Sequence, residues 1–320
     1  MNRPASSRSA KRAVVTGGAG FIGSHVVDRF LGGGYDVVVI DDLSTGDAAN
    51  VNERARLEEL DIVDRDPLAR CIASFKPTVV CHLAAQSSVT VSVREPEHDL
   101  AVNVRGTMNV CEAARDAGAS VVFASTGGAL YGDRAPVPTT ENEPGEPLAP
   151  YGASKLAGEA YTGTWGRLYG FPNVILRLGN IYGPRQNPHG EAGVVAIFSE
   201  RLLHGRAPLV FGDGTQTRDY VHVTDVAHAF LLAAEGGVAG TYNVGWGEET
   251  SVLELLAVLQ RAADTALAPT FEPLRPGELK RSALDSTKLA LDLAWRPAIR
   301  LEQGLADTFR SYAAAADAAS

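Results

Sequence analysis

The stretch VVTGGAGFIGSH, residues 14–25, decides the fold. It begins with apolar, β-branched residues, and glycines then follow at three-residue spacing, at Gly17, Gly20 and Gly23. Glycines here let the backbone turn tightly and approach a pyrophosphate, while the helix that follows presents free N–H groups to the anion. The stretch therefore predicts the strand–turn–helix unit that binds a dinucleotide.

Short apolar runs alternate with candidate helices over the next 160 or so residues. The runs are apolar at nearly every position, which suits strands buried on both faces of a parallel sheet. They cover residues 12–16, 36–40, 78–84, 120–125 and 173–178, with candidate helices at 22–31, 66–75 and 98–117. This alternation predicts an α/β fold, a Rossmann-type doubly wound parallel sheet.

After about residue 180 proline and glycine become frequent, and amphipathic helices are predicted at about 192–205, 251–263 and 301–314. We expect a smaller, mixed α/β C-terminal lobe there that binds the substrate. The predicted division of the chain is a disordered tail over 1–11, a dinucleotide-binding domain over 12–180 to which 220–245 returns, a substrate-binding lobe over 181–219 and 246–314, and a tail over 315–320.

Composition narrows the partners and the location. The net charge of −9, without a polybasic run, argues against nucleic acid. No apolar run approaches the roughly 18 residues of a membrane span, so no membrane partner is expected. The three cysteines have no CxxC spacing, which predicts buried thiols, a cytoplasmic location and no metal site.

Asp41 ends the second apolar run and predicts the identity of the dinucleotide. A carboxylate at this position accepts hydrogen bonds from ribose hydroxyls and repels a 2′-phosphate. Its neighbour is Asp42 rather than an arginine, so we expect NAD rather than NADP. Asp61, in LDIVD, is a candidate adenine contact, with a solvated loop acid as the alternative.

Tyr151 and Lys155, in PYGASKLAGE, lie four residues apart at a predicted helix start, so both side chains share one face. An ammonium near a phenol favours the phenolate, which can act as a general base towards an alcohol. The hydroxyl of Ser125 or Thr126, at the carboxyl end of a strand, could bind the same alcohol.

With these motifs, the chain resembles the extended short-chain dehydrogenases/reductases, and within them the UDP-glucose 4-epimerases. The resemblance covers about residues 12–312. The motifs on which the resemblance rests are TGGAGFIG, DDLSTG, LDIVD, HLAAQ, NVRGT, STGGALYG, YGASK, LRLGNIYGPRQ, GDGTQTRDYVHVTDV and RPGE.

The resemblance implies an NAD site and a UDP-sugar site. For NAD it implies the pyrophosphate contacts Gly17, Gly20, Phe21 and Ile22, the loop Asp41, Asp42, Ser44, Thr45 and Gly46, the adenine contacts Asp61 and Ile62, and the channel residues Leu83, Ala84, Ala85, Asn103, Lys155 and Leu178. For the UDP-sugar it implies that Asn180, Arg218 and Arg275 bind the diphosphate and that Ser282 admits 2-acetamido sugars. Tyr151 is the implied base for the C4 hydroxyl, and Lys155 holds the nicotinamide ribose.

Gly127 and Gly128 favour an epimerase over its relatives. The related 4,6-dehydratases carry Asp-Glu directly after the catalytic hydroxyl, and glycine cannot transfer a proton. Between Thr126 and Tyr131 this chain has one residue more than the epimerases that carry SSATVYG. The difference leaves open whether Ser125 or Thr126 contacts the substrate, and we favour Thr126.

Three rival functions stay open. Arg185 could meet a C6 carboxylate, which would make the protein a UDP-glucuronate 4-epimerase, although a structural or phosphate contact is preferred. A dTDP-sugar 4-ketoreductase is the second rival, and a non-catalytic NAD-sensing protein is the third. The resemblance also implies a homodimer through the helices near 98–117 and 151–169.

Overall fold

A computed structural model describes residues 11–188, 193–274 and 279–319. Its main sheet has seven parallel strands, numbered here along the chain together with the other strands. They are Arg12–Thr16 (β1), Asp36–Asp41 (β2), Arg56–Glu59 (β3), Val79–His82 (β4), Ser120–Thr126 (β5), Val174–Leu178 (β6) and Gly240–Val244 (β11). The spatial order is β3-β2-β1-β4-β5-β6-β11. This is the doubly wound Rossmann order with one added strand.

Helices cover both faces of this sheet. They are Phe21–Gly32 (α1), Arg65–Phe75 (α2), Val89–Arg94 (α3), Pro96–Leu100 (α4), Thr107–Ala117 (α5), Pro150–Tyr169 (α6) and Val223–Glu235 (α8), with a 3₁₀ turn at Ala48–Asn50 and a π-helical turn at Ala101–Gly106. On one face Phe30 of α1 and Phe230 of α8 share a buried cluster with Val15. On the other face Leu68 of α2 and Val110 of α5 pack with Val14. Alternate residues of β1 thus enter opposite cores, as expected for a strand buried on both faces.

The rest of the chain builds a smaller lobe. Its strands are Asn180–Tyr182 (β7), Leu209–Phe211 (β8), Thr217–Arg218 (β9), Tyr220–His222 (β10), Thr250–Ser251 (β12) and Thr270–Glu272 (β13), and its helices are Val194–Leu203 (α7), Val252–Ala262 (α9), Thr287–Leu293 (α10) and Leu301–Ala319 (α11). The strands pair as β7–β10 and β8–β13 in parallel and β9–β12 antiparallel. Phe198, Leu255, Leu259 and Leu305 form the lobe's core.

Two features differ from the sequence prediction. The helix expected over 98–117 consists of α4, the π-helical turn and α5. The tail expected over 315–320 is instead helical to Ala319, because the alanine-rich end has high helix propensity and simply extends α11. Except for Lys11, the expected N-terminal tail lies outside the described residues. No helix among the described residues is long and apolar enough to cross a membrane.

Candidate active site

A cleft of about 860 Å³ opens at the carboxyl ends of β1 and β4. These adjacent strands mark the point where the strand order reverses, which is where open α/β sheets bind ligands. Every residue predicted to contact the cofactor lines this cleft except Asn103. The lining residues include Gly17, Gly20, Phe21, Ile22, Asp41, Asp42, Ser44, Thr45, Gly46, Asp61, Ile62, Leu83, Ala84, Ala85, Lys155 and Leu178.

The glycine loop lets two backbone segments meet at the floor of the cleft. Gly17 has φ of +72°, and a Cβ there would lie 2.5 Å from the backbone nitrogen of Ala84. Gly20 is the N-cap of α1, it offers no side-chain cap, and the first turn of the helix carries no acidic residue. The open end of α1 therefore presents backbone N–H groups to an anion.

Asp41 is held in place by the loop above it. Its Oδ2 accepts from the backbone N–H of Ala19 at 2.9 Å, and its Oδ1 accepts from that of Leu43 at 3.0 Å. Burial raises the pKa of Asp41 and nearby Asp42 adds to the rise, while these two hydrogen bonds oppose it. Each oxygen of the ionised carboxylate keeps acceptor capacity, which suits a pair of vicinal ribose hydroxyls.

The neighbouring acids have local roles as well. Oδ1 of Asp42 accepts from the backbone N–H of Ser44 at 3.0 Å and from its hydroxyl at 2.7 Å, which fixes the turn after β2. Oδ1 of Asp61 accepts from the backbone N–H of Val63 at 2.8 Å. Since both acids also line the cleft, they shape its wall on the side where an adenosine would lie.

Tyr151 and Lys155 of α6 face the end of β5. The Tyr151 hydroxyl is hydrogen-bonded to Thr126, and the Lys155 ammonium donates to the carbonyl of Ala124 at 3.0 Å. Burial, with a smaller contribution from Asp99, raises the pKa of Tyr151 to about 12, and the Thr126 bond opposes that rise. The sequence predicted a shift in the opposite direction, caused by Lys155. The direction differs because the phenol is desolvated and the ammonium is directed at a carbonyl.

The hydroxyl of Ser125 has a different partner from that of Thr126. It donates to Oε1 of Glu159 at 2.5 Å. Glu159 also forms a bidentate ion pair with Arg177, in which Nε donates to Oε1 at 2.9 Å and Nη2 donates to Oε2 at 2.7 Å. Arg177 also donates to the hydroxyl of Tyr131 at 2.8 Å. Ser125 is therefore engaged by a buried ion pair, whereas the hydroxyl of Thr126 lies beside the candidate base.

Comparison with known proteins places this geometry in a family. Residues 13–245 match the NAD dependent epimerase/dehydratase family. The chain belongs to that family. It is 49% identical over 306 residues to a UDP-glucose 4-epimerase of Mycolicibacterium smegmatis, covering 93% of this chain and 97% of that protein. The predicted resemblance to the extended short-chain dehydrogenases/reductases is confirmed.

Solved structures of family members agree with the fold. A UDP-glucose 4-epimerase from Thermotoga maritima, with UDP-glucose, has a TM-score of 0.93 and 43% identity, covering 95% of this chain and 99% of that chain. One from Thermus thermophilus, in complex with NAD, has a TM-score of 0.90 and 44% identity over the same shares of the two chains.

The cleft of this epimerase/dehydratase fits NAD on its own geometry. The uncapped helix end and the close approach at Gly17 suit a pyrophosphate, and Asp41 suits a ribose diol. Among the described lining residues the lysine and arginine side chains are Lys155 and Arg185, and Arg185 pairs with Asp28 at 2.7 Å. A 2′-phosphate beside Asp41 would find no arginine in the loop over residues 41–47, so NAD fits this cleft better than NADP.

Asn103 supports the cleft from beneath rather than lining it. It is 1% exposed, its Oδ1 accepts from the backbone N–H of Gln86, and its Nδ2 donates to the carbonyl of Gln86, both at 2.9 Å. Nδ2 also lies within hydrogen-bonding distance of Asp99 and Ser154. Gln86 itself lines the cleft, and sequence analysis assigned it no role although it lies in the HLAAQ motif. Ala19, whose backbone N–H holds Asp41, gave no side-chain signal at all.

The predicted substrate residues are not gathered in this cleft, apart from Arg185. Asn180 starts β7, and its Oδ1 would lie 3.3 Å from a Cβ at Gly128. Arg218 is half-buried and donates to the carbonyl of Thr217, and Ser282 is buried. Arg275 lies outside the described residues. The pairing of Arg185 with Asp28 matches the structural alternative weighed for that arginine.

Proposed function

We propose that the protein interconverts the C4 epimers of a UDP-hexose, UDP-glucose and UDP-galactose, through a transient 4-keto sugar. The observation that carries this proposal is the hydroxyl pair of Tyr151 and Thr126 at the end of β5, beside a cleft that fits NAD. Relatives and solved neighbours named UDP-glucose 4-epimerase, one of them described with UDP-glucose, support the substrate class.

Each of the three catalytic side chains has a separate task. Tyr151 accepts the proton of the C4 hydroxyl and returns it when the ketone is reduced, while Thr126 binds the same oxygen and keeps it aligned. When bound, NAD supplies a reversible hydride acceptor and a positive charge beside the phenol. That charge matters, because a phenol whose pKa is about 12 holds its proton at neutral pH. Lys155 lines the same cleft and supplies an ammonium one helical turn from the phenol.

A dehydratase is disfavoured by the packing after Thr126. Elimination of water needs proton transfers at carbons beyond C4, and Gly127 has no side chain for them. A Cβ at Gly127 would lie 2.4 Å from Cδ1 and 2.7 Å from Cδ2 of Leu284. The position is therefore closed to an acidic side chain as long as Leu284 covers it.

The range of sugars is a finer part of the proposal. Ser282 is a small residue at the position where the family resemblance implies that size decides the acceptance of a 2-acetamido group, so we expect UDP-GlcNAc and UDP-GalNAc to be substrates together with the unsubstituted sugars. UDP-glucuronate is disfavoured because Arg185 already has a carboxylate partner in Asp28. Replacing Ser282 with Tyr would lower the activity on UDP-GalNAc relative to UDP-galactose, and an unchanged ratio would remove this assignment.

The proposed assembly is a homodimer. Val93, Leu100 and Leu168 are 64%, 60% and 65% exposed, and Tyr169 at the end of α6 is also exposed. Leu100, Leu168 and Tyr169 belong to the helices for which the family resemblance implies a partner copy, and Val93 lies on α3, directly before the first of them. A molar mass of two chains by light scattering, reduced to one chain by Leu168→Glu, is the expected result. The cytoplasmic location stays a prediction from the cysteines.

Product analysis tests the proposal. The purified protein is incubated separately with UDP-glucose, UDP-GalNAc and UDP-glucuronate, without added reductant, and bound cofactor is identified after denaturation. Conversion to the C4 epimer with NAD in the released fraction supports the proposal. In a separate incubation with added NAD(P)H, its consumption would indicate a 4-ketoreductase. Full activity of Tyr151→Phe would exclude the assigned base.

A further inference from the structure

A buried carboxylate lies beneath the catalytic pair without an assigned role. Asp99, on α4, is 1% exposed, and its Oδ1 accepts from Nε2 of Gln86 at 2.8 Å and from Nδ2 of Asn103 at 3.0 Å. Within the described residues Asp99 forms no ion pair. Its partners among the described residues are neutral amides, and a negative charge that no cation offsets acts strongly on ionisable groups nearby.

The local backbone connects Asp99 to the catalytic helix. The π-helical turn directly after α4 carries Asn103, and Nδ2 of Asn103 reaches both Asp99 and, at 3.1 Å, the hydroxyl of Ser154. Ser154 lies on α6 directly before Lys155, and its hydroxyl donates to the carbonyl of Tyr151 at 3.0 Å. Single π-helical turns inside α-helices are frequent at functional sites. Asp99, Asn103 and Ser154 thus form a continuous polar connection under the catalytic pair.

Both members of the pair respond to this carboxylate. Burial lowers the pKa of Lys155 to about 8, while Asp99 and Glu159 oppose that change. Burial raises the pKa of Tyr151 to about 12, and Asp99 is the next contributor in the same direction. A negative charge favours the protonated form of both groups, so the carboxylate acts on the ammonium and on the phenol with the same sign.

Among the other side chains around the pair, Glu159 acts on Lys155 and not on Tyr151. Glu159 faces Lys155 from one turn further along α6 and is paired with Arg177. His82 on β4 faces Lys155 as a neutral ring, because burial and Lys155 lower its pKa to about 3. His98 lines the cleft from α4, and Thr126 beside Tyr151 is uncharged.

We propose that Asp99 is a positioning residue whose buried negative charge sets the protonation of Lys155 and Tyr151 together. The inference rests on the proposed function, and it adds a third ionisable member to the catalytic pair. It explains why a buried ammonium can stay charged although the carboxylate of nearby Glu159 is already paired with Arg177.

The test compares two neutral substitutions in the NAD-loaded protein. The pH profile of kcat/KM for UDP-galactose is measured for the parent, Asp99→Asn and Glu159→Gln. In Asp99→Asn both limbs move to lower pH, each by about one unit, since removing a nearby charge shifts a pKa by about that amount. In Glu159→Gln only the limb that reports Lys155 moves, and it moves to lower pH. Asp99→Glu keeps the charge and keeps both limbs in place even where the rate falls.

Other outcomes overturn the inference. A profile of Asp99→Asn that keeps both limbs and loses only amplitude would assign Asp99 a structural role. If Asp99→Asn does not fold, Asp99→Ser takes its place, because serine is a smaller side chain that is also neutral and can accept a hydrogen bond. Failure of both neutral variants to fold, while Asp99→Glu folds and is active, would assign the charge to stability and also overturn the proposal.

A second readout separates this inference from the proposed function. The affinity for NAD is measured by calorimetry across pH, without any sugar. Because Lys155 lines the cofactor cleft, the affinity falls as that lysine loses its proton, and in Asp99→Asn this loss occurs about one pH unit lower. An inactive parent that shows this shift would remove the proposed function alone, whereas an active parent without the shift would remove the role of Asp99.

Discussion

Replacing Gly17 with alanine tests whether the close backbone approach at the glycine loop builds the cofactor cleft. Gly17 has φ of +72°, and a Cβ there would lie 2.5 Å from the nitrogen and 2.8 Å from the Cα of Ala84. Gly34, in the turn after α1, is the matched control, because its φ is +79° but nothing lies within 4 Å of its Cβ position. The two substitutions share the conformational cost and differ only in the clash.

The expected magnitudes follow from those two contributions. An L-residue in the left-handed region costs about 1–2 kcal/mol, so Gly34→Ala is expected to lower the free energy of unfolding by about 1 kcal/mol. In Gly17→Ala the obstructing atoms belong to backbone and cannot rotate away, which adds about 1–3 kcal/mol. Gly17→Ala should therefore be destabilised by about 3 kcal/mol. Its affinity for NAD should fall more than about tenfold, because each 1.4 kcal/mol of distorted contacts is a factor of about ten.

Urea unfolding and NAD calorimetry on the parent and both variants measure these differences. Equal destabilisation by the two substitutions, or an unchanged NAD affinity in Gly17→Ala, would show that the close approach to Ala84 does not shape the cleft. Gly34→Ala should bind NAD like the parent, since that turn does not line the cleft.

Three further predictions concern the hydroxyls, the glycine turn and a buried histidine. Thr126→Val should lower kcat by about 10–100-fold, because it removes a hydrogen bond made to a group that changes charge. Ser125→Ala should lower kcat less and should instead lower the free energy of unfolding measured in urea. If Ser125→Ala lowers kcat more than Thr126→Val does, the roles of the two hydroxyls are exchanged. Gly127→Ala should lower the free energy of unfolding by about 1–3 kcal/mol. Leu284→Ala is itself destabilising, but the double variant should lose less stability than the sum of the two single losses, and strictly additive losses would contradict the contact. Burial lowers the pKa of His25 to about 4, so between pH 6.5 and 4 the unfolded chain binds a proton at this residue that the folded chain does not bind. The free energy of unfolding is therefore unaffected by this group above pH 6.5 and falls by up to about 1.4 kcal/mol per pH unit as the pH drops towards 4. Urea unfolding across this range should show a weaker dependence on pH in His25→Gln than in the parent.

The nucleotide-binding half could be predicted well from sequence because its signals are local. The strand–glycine–helix unit and Asp41 follow one another along the chain, and backbone geometry alone brings them together at the cleft. The predicted Rossmann-type fold and NAD cofactor are confirmed.

Other parts of the site depend on contacts between distant segments. The sequence could not show that Ser125 would bind Glu159, 34 residues away, and so leave Thr126 beside Tyr151. Burial of the phenol is the largest cause of its raised pKa, and burial is a property of the packed structure rather than of Y-x-x-x-K spacing. Asp99 gave no signal either, since an acid in EPEHDL reads as a solvated helix residue.

The fate of the hydrogen at C4 of the sugar tests most directly whether the protein epimerises this carbon through a transient 4-keto sugar. UDP-galactose carrying deuterium at C4 is incubated with the purified protein in ordinary water, without added cofactor or reductant, and the product is examined by NMR. The proposed mechanism predicts UDP-glucose that retains the deuterium at C4, because the hydride that leaves that carbon returns to the same carbon. Absence of conversion, or product in which solvent hydrogen has replaced the deuterium, would contradict it.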